Sequence, residues 1–163
     1  MRGGQAEGGS LIIFATVLVG LILSQIPLPE LLVWYRPEWV ALVLIYWVLS
    51  VPHRIGLGSA FSMGLLLDVI RGSVLGLNAL SLTIIAYLIL LLYKRIRMFP
   101  LWQQSLIVIV LVGINQLLFF WMQGITGTTS GGFHFLIPAL ISGMFWPWVY
   151  VVLQGVRITF RIE

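Results

Sequence analysis

Cysteine is absent from all 163 residues, so the chain can form no disulfide and can offer no thiolate to a metal. Charge is almost as scarce. Asp, Glu, Lys and Arg together make up 9% of the residues, against ~25% in ordinary soluble domains. Five carboxylates and two histidines are too few, and too scattered, to supply the carboxylate pairs of general acid–base catalysis or a clustered metal site. No phosphate-binding P-loop, no G-x-G-x-x-G and no G-x-S-x-G occurs. The nine basic residues stand in ones, twos and threes between apolar runs. They form no continuous track for a phosphate backbone, which excludes nucleic acid as a partner.

What is present is hydrocarbon. Sixty per cent of the residues are hydrophobic, and they fall into six runs bounded by polar or proline-containing turns. The chain therefore reads as all-α, a single polytopic membrane domain over residues 1–163. Its expected transmembrane helices cover about 11–26, 37–51, 55–70, 77–93, 101–125 and 135–156. Arg2 ahead of an apolar run resembles a secretory signal, but no small-x-small cleavage site precedes Pro27, which predicts an uncleaved first span. The second span, opened by Pro37, would be ~22 Å long, short of the ~30 Å hydrocarbon core. It is either thinly seated or extended backward through Tyr35. The third ends near Ile70 with a turn over Arg71 to Gly76, or continues to Gly76. The turn is preferred, because continuation leaves almost no loop. Trp146-Pro147-Trp148 is a kink signal in the sixth span. With six spans, Arg2, Arg54, Lys94, Arg95, Arg97, Arg157 and Arg161 collect on one side, and only Arg36 and Arg71 on the other. The positive-inside rule then places both termini in the cytoplasm.

The most informative stretch is Gly58 to Gly76, which holds Asp68 inside an apolar run. Counting in fours from Gly56 gives Ala60, Gly64, Asp68, Gly72 and Gly76, a ridge of small residues and one acid. In lipid, such ridges let backbones approach, and polar side chains bridge the helices. Gly64, Asp68, Gly72 and Gly76 are therefore the candidate helix-packing or partner-binding residues. A buried carboxylate needs compensation, for which Arg71, three residues on, and Arg36, on the same side of the membrane, are the candidate ion-pair partners. The alternative places Asp68 near a helix end, reaching headgroups. Asn115 and Gln116 either line a polar cavity or hydrogen-bond to another helix, and Gln123 is a further polar group on that span. His53 and His134 read as interfacial residues, and the seven tryptophans, near span ends, as an aromatic belt.

Several blocks together resemble one family. They are Arg36-Pro37-x-Trp39, Tyr46-Trp47, Pro52-His53-Arg54, Gly64-Leu-Leu-Leu-Asp68-x-x-x-Gly72-x-x-Leu75-Gly76, Leu101-Trp102-Gln103-Gln104 and Trp146-Pro147-Trp148. In this order and spacing they are similar to MreD, the rod shape-determining membrane proteins. The resemblance implies a non-enzymatic inner-membrane component of the cell-elongation machinery without a cofactor. Its implied partners are MreC first, then MreB, RodA and its transpeptidase in a larger complex, and membrane lipid. It also implies a fold similar to the substrate-binding subunits of vitamin transporters. Two functions follow: a scaffold for peptidoglycan-synthesis proteins, or a small-solute carrier subunit. A carrier should show a cavity where Asp68, Asn115, Gln116 and Gln123 converge.

Overall fold

The computed structural model describes residues 2–27, 29–35, 37–72, 74–127 and 136–162. Among them there is no strand. The helices run α1 (Arg2–Gln25), α2 (Trp39–Ser50), α3 (Leu57–Arg71), α4 (Leu77–Met98), α5 (Leu101–Thr126) and α6 (Ile137–Thr159), with one 3-10 segment at Glu30–Tyr35. Four of them, α1, α4, α5 and α6, are long and apolar enough to cross a membrane. The other two are short, and they differ in kind.

Twelve-residue α2 is ~18 Å long and lies at the centre. Every residue from Val40 to Leu49 is buried, Tyr46 and Trp47 completely. A helix that is apolar all round must be enclosed, and α1, α4, α5 and α6 enclose this one. Because its surroundings are protein, its shortness against the bilayer core carries no cost in exposed backbone. The Trp47 indole N–H donates to Thr16 Oγ1 of α1 (2.8 Å), and Trp39 stacks edge-on with Phe145 and Trp148 of α6. Fifteen-residue α3, in contrast, lies at the periphery. It buries Ala60, Gly64, Leu67 and Asp68 against α4 and leaves Phe61, Leu66, Val69 and Ile70 exposed.

Several boundaries differ from the sequence expectation. Helix α1 begins at Arg2, not near Leu11, because its first turns pack on the α2–α3 turn: Gly9 lies against Arg54 and Ile162. Helix α4 continues past residue 93 to Met98, carrying Lys94, Arg95 and Arg97 through its last turns, where cations suit the negative end of the helix dipole. Helix α6 runs through Pro147 without interruption. The end of α3, in contrast, falls at the preferred turn: the helix stops at Arg71 because Gly72 turns left-handed (φ 64°), and Gly76 (φ 96°) does the same before α4. This corrects the five-residue ridge. Ala60, Gly64 and Asp68 do form one packed line, but a methyl on Gly72 or Gly76 would meet nothing within 4 Å. Those two glycines serve the turn through their backbone conformation and not through close approach.

Candidate functional site

Asp68 is wholly buried, and its surroundings explain how an apolar interior tolerates it. Helix α4 starts at Gly76-Leu77-Asn78, with no Ser, Thr or Asp to cap its free N–H groups, and no N-cap side chain bonds there. Asp68 of the preceding helix does it instead. Its Oδ2 accepts from the backbone N–H of Gly76 (2.9 Å) and Ala79 (3.4 Å). Its Oδ1 accepts from the N–H of Asn78 (3.0 Å) and from the Asn78 side-chain amide (2.7 Å). A carboxylate at a helix N-terminus also meets the positive end of the helix dipole. Gly64, one turn before, makes the approach feasible. Any Cβ there would overlap the Ala79 backbone and stand 2.7 Å from the Asn78 carbonyl carbon. Glycine and acid thus act together: one brings α4 in, and the other receives its amides.

Arg71 pairs with Glu38, just before α2, at 3.5 Å (Nη2 to Oε2). The sequence expectation had offered it to Asp68. The reason for the change is geometric: Asp68 turns toward the start of α4, while Arg71, in the last turn of α3, reaches across to the start of α2. Arg36, the other candidate partner, lies outside the described residues, as do His134 and the loop 128–135. Glu38 is the centre of a small network. Its Oε1 accepts from Gln116 Nε2 of α5 (3.0 Å), and its backbone N–H donates to Ser142 Oγ of α6 (2.9 Å). Four helices, α2, α3, α5 and α6, meet there.

The opposite end is organised in the same way with basic groups. Arg97 of α4 donates to the Leu49 and Ser50 carbonyls that end α2 (2.7 and 2.8 Å) and lies over the Tyr93 ring. Gln104 of α5 donates to the Ile96 and Phe99 carbonyls that end α4 (3.1 and 3.2 Å) and accepts from the Trp146 indole of α6 (3.3 Å). Arg54 and the chain end around Ile162 lie at this end with the start of α1, and Arg157 donates to the Ile162 carbonyl. The bundle therefore has a basic end and an end built on Glu38 and Arg71.

One rule covers most of these contacts: a helix terminus in an apolar interior must be satisfied by another element. Sequence reasoning found Asp68 but missed Glu38, Asn78, Arg97 and Ser142 as its counterparts. The signal was available. None of α2 to α6 is capped by its own N-cap side chain, and the starts of α2 and α4 are met by Ser142 and Asp68 from other helices. Among the described residues, no group of three or more His, Asp or Glu is placed to hold a metal.

Comparison with known proteins agrees with the motif blocks. A family model described as rod shape-determining protein MreD matches residues 6–156. The rod shape-determining protein MreD of Haemophilus influenzae is 35% identical over 145 residues, covering 89% of this chain and 90% of that protein. No solved structure matches. Gln104 and Trp146, from two separate blocks, meet in one hydrogen bond, and the unassigned position between Pro37 and Trp39 is Glu38. The chain belongs to the MreD family of rod shape-determining proteins.

Proposed function

We propose that the protein is a non-enzymatic scaffold of the cell-elongation complex. It crosses the bacterial inner membrane six times with both termini in the cytoplasm, and it holds MreC together with MreB, RodA and its transpeptidase around peptidoglycan synthesis. The observation that carries this reading is the use made of polar side chains in the interior. Asp68, Arg97, Gln104 and Ser142 each hold the end of another helix, and Glu38 ties the side chains of Arg71 and Gln116 together at the start of α2, an arrangement that makes a stiff body and leaves its outer apolar faces for partners. The gathering of Arg54, Arg97 and Arg157 at one end supports the orientation. The carrier reading asks Asp68 and Gln116 to line a cavity. Asp68 is enclosed by the start of α4 and Gln116 is bonded to Glu38, and neither borders the clefts of about 420 and 580 Å³ flanking α1. The test is co-purification in mild detergent. A bitopic periplasmic partner should elute with the wild-type chain and be lost with Gly64→Leu. Stoichiometric small solute in place of protein partners would overturn the scaffold.

A further inference from the structure

The basic end contains a group that the capping rule does not account for. That group is the guanidinium of Arg54, in the turn between α2 and α3. Its Nη1 is buried and has no hydrogen-bond acceptor, and among the described residues no carboxylate pairs with it. Arg54 stands at the mouth of a cleft of about 580 Å³ between α1 and α3, which exists because α3 packs chiefly on α4. Below the mouth the walls are hydrocarbon: Phe14, Val17 and Leu21 from α1, and Met63 and Leu66 from α3. Gly58 and Ser59, in the first turn of α3, line the same cleft, and the N-terminus of α3 has no side-chain cap. A methyl at Gly56 or Gly58 would meet nothing within 4 Å, so that helix start is open to an approaching group.

We infer that this cleft holds one anionic phospholipid, its phosphate on Arg54 and the first amides of α3, and one acyl chain lying between α1 and α3. The two halves of the site ask for the two halves of such a molecule. An uncompensated guanidinium beside an uncapped helix start selects a phosphate. The apolar walls extend along α1 from Ser10 to Leu21, ~16 Å at 1.5 Å per residue, which matches one leaflet of hydrocarbon at ~15 Å. Basic pockets between membrane helices at the cytoplasmic surface are known lipid headgroup sites. A partner's membrane helix would bring only apolar surface to this depth and leave the part-exposed Arg54 guanidinium without a counter-charge. The inference rests on the chain's embedding in a membrane and not on the scaffold role, so the two can fail separately.

The test uses the full chain purified in detergent, with native mass spectrometry for bound lipid and thermal midpoint for affinity. Phosphatidylglycerol should be retained one to one and should raise the midpoint, while phosphatidylcholine should do neither. Inorganic phosphate at millimolar concentration should leave the midpoint unchanged. Arg54→Gln should weaken phosphatidylglycerol binding about tenfold or more. Val17→Trp, which fills the groove and keeps the charge, should weaken it as well. Equal effects of the two lipids, a shift with inorganic phosphate as large as with lipid, or a bound protein in place of lipid would each overturn the site. Wild-type binding by Arg54→Gln would do so too. If that variant does not fold, the wild-type comparison of the three probes decides alone.

Discussion

The hairpins α3–α4 and α5–α6 use the same device and differ in how much slack it has. Each places a glycine where two helices cross: Gly64 against α4, and Gly143 against α5. A methyl on Gly64 would run into Ala79 and Asn78 backbone, which cannot move without moving the helix. A methyl on Gly143 would run into the Ile109 side chain, which can rotate, and would come to 3.2 Å from the Ser105 carbonyl oxygen. The first crossing is also locked by Asp68. The second relies on side-chain packing and, among the described residues, on a bond from the Trp146 indole to Gln104. Similar small-residue patterns therefore encode a rigid joint in one place and an adjustable one in the other.

The largest expected effect comes from removing the lock. Asp68→Ala strands the amides of Gly76, Asn78 and Ala79 and the Asn78 side chain in the interior, at about 3–5 kcal/mol. Asp68→Asn should lose roughly half of that, since one oxygen still accepts. Thermal midpoint and yield in detergent read both, and an Asp68→Ala protein as stable as wild type would mean that the carboxylate does not hold this joint. Next is Gly64→Ala, expected to lose ~1–3 kcal/mol or more because backbone cannot relax around the new methyl. Gly72→Ala should cost ~1–2 kcal/mol from its left-handed conformation alone. A double variant with Gly64→Ala should show additive losses, since the causes are independent. Strong coupling between them would return Gly72 to the packing ridge. The smallest effect is expected for Gly143→Ala, about 1 kcal/mol or less, as Ile109 changes rotamer. A midpoint drop equal to that of Gly64→Ala would erase the distinction between the two joints.

Much of the joint around Asp68 was legible from spacing. Ala60, Gly64 and Asp68 share a face by the i, i+4 rule, and an acid in an apolar run requires compensation wherever it lies. What spacing could not give was the partner. A sequence search for compensation looks for opposite charge, and Arg71 was the nearest. Among the described residues the compensation comes from the Asn78 side chain and from three backbone amides, which every residue carries and no sequence displays. Gly72 and Gly76 were misplaced for a related reason: a period of four continues on paper through a turn that the chain does not take as helix. The hydrocarbon content of Trp39 to Val51 was plain, yet its central position was not, because an apolar run reads alike whether lipid or protein surrounds it.

That central position has a consequence for biogenesis. Helix α2 emerges early, but the hydroxyl that receives its Glu38 amide belongs to Ser142, 104 residues later in the chain. At synthesis rates of ~5–20 residues per second, the bundle's axis waits roughly 5–20 s for its last wall. During that interval a twelve-residue apolar segment, too short to sit comfortably across a bilayer, has only its early neighbours to shelter it. Helix α2 packs first on α1 and α4, and the last of its surrounding walls is added only when α6 arrives.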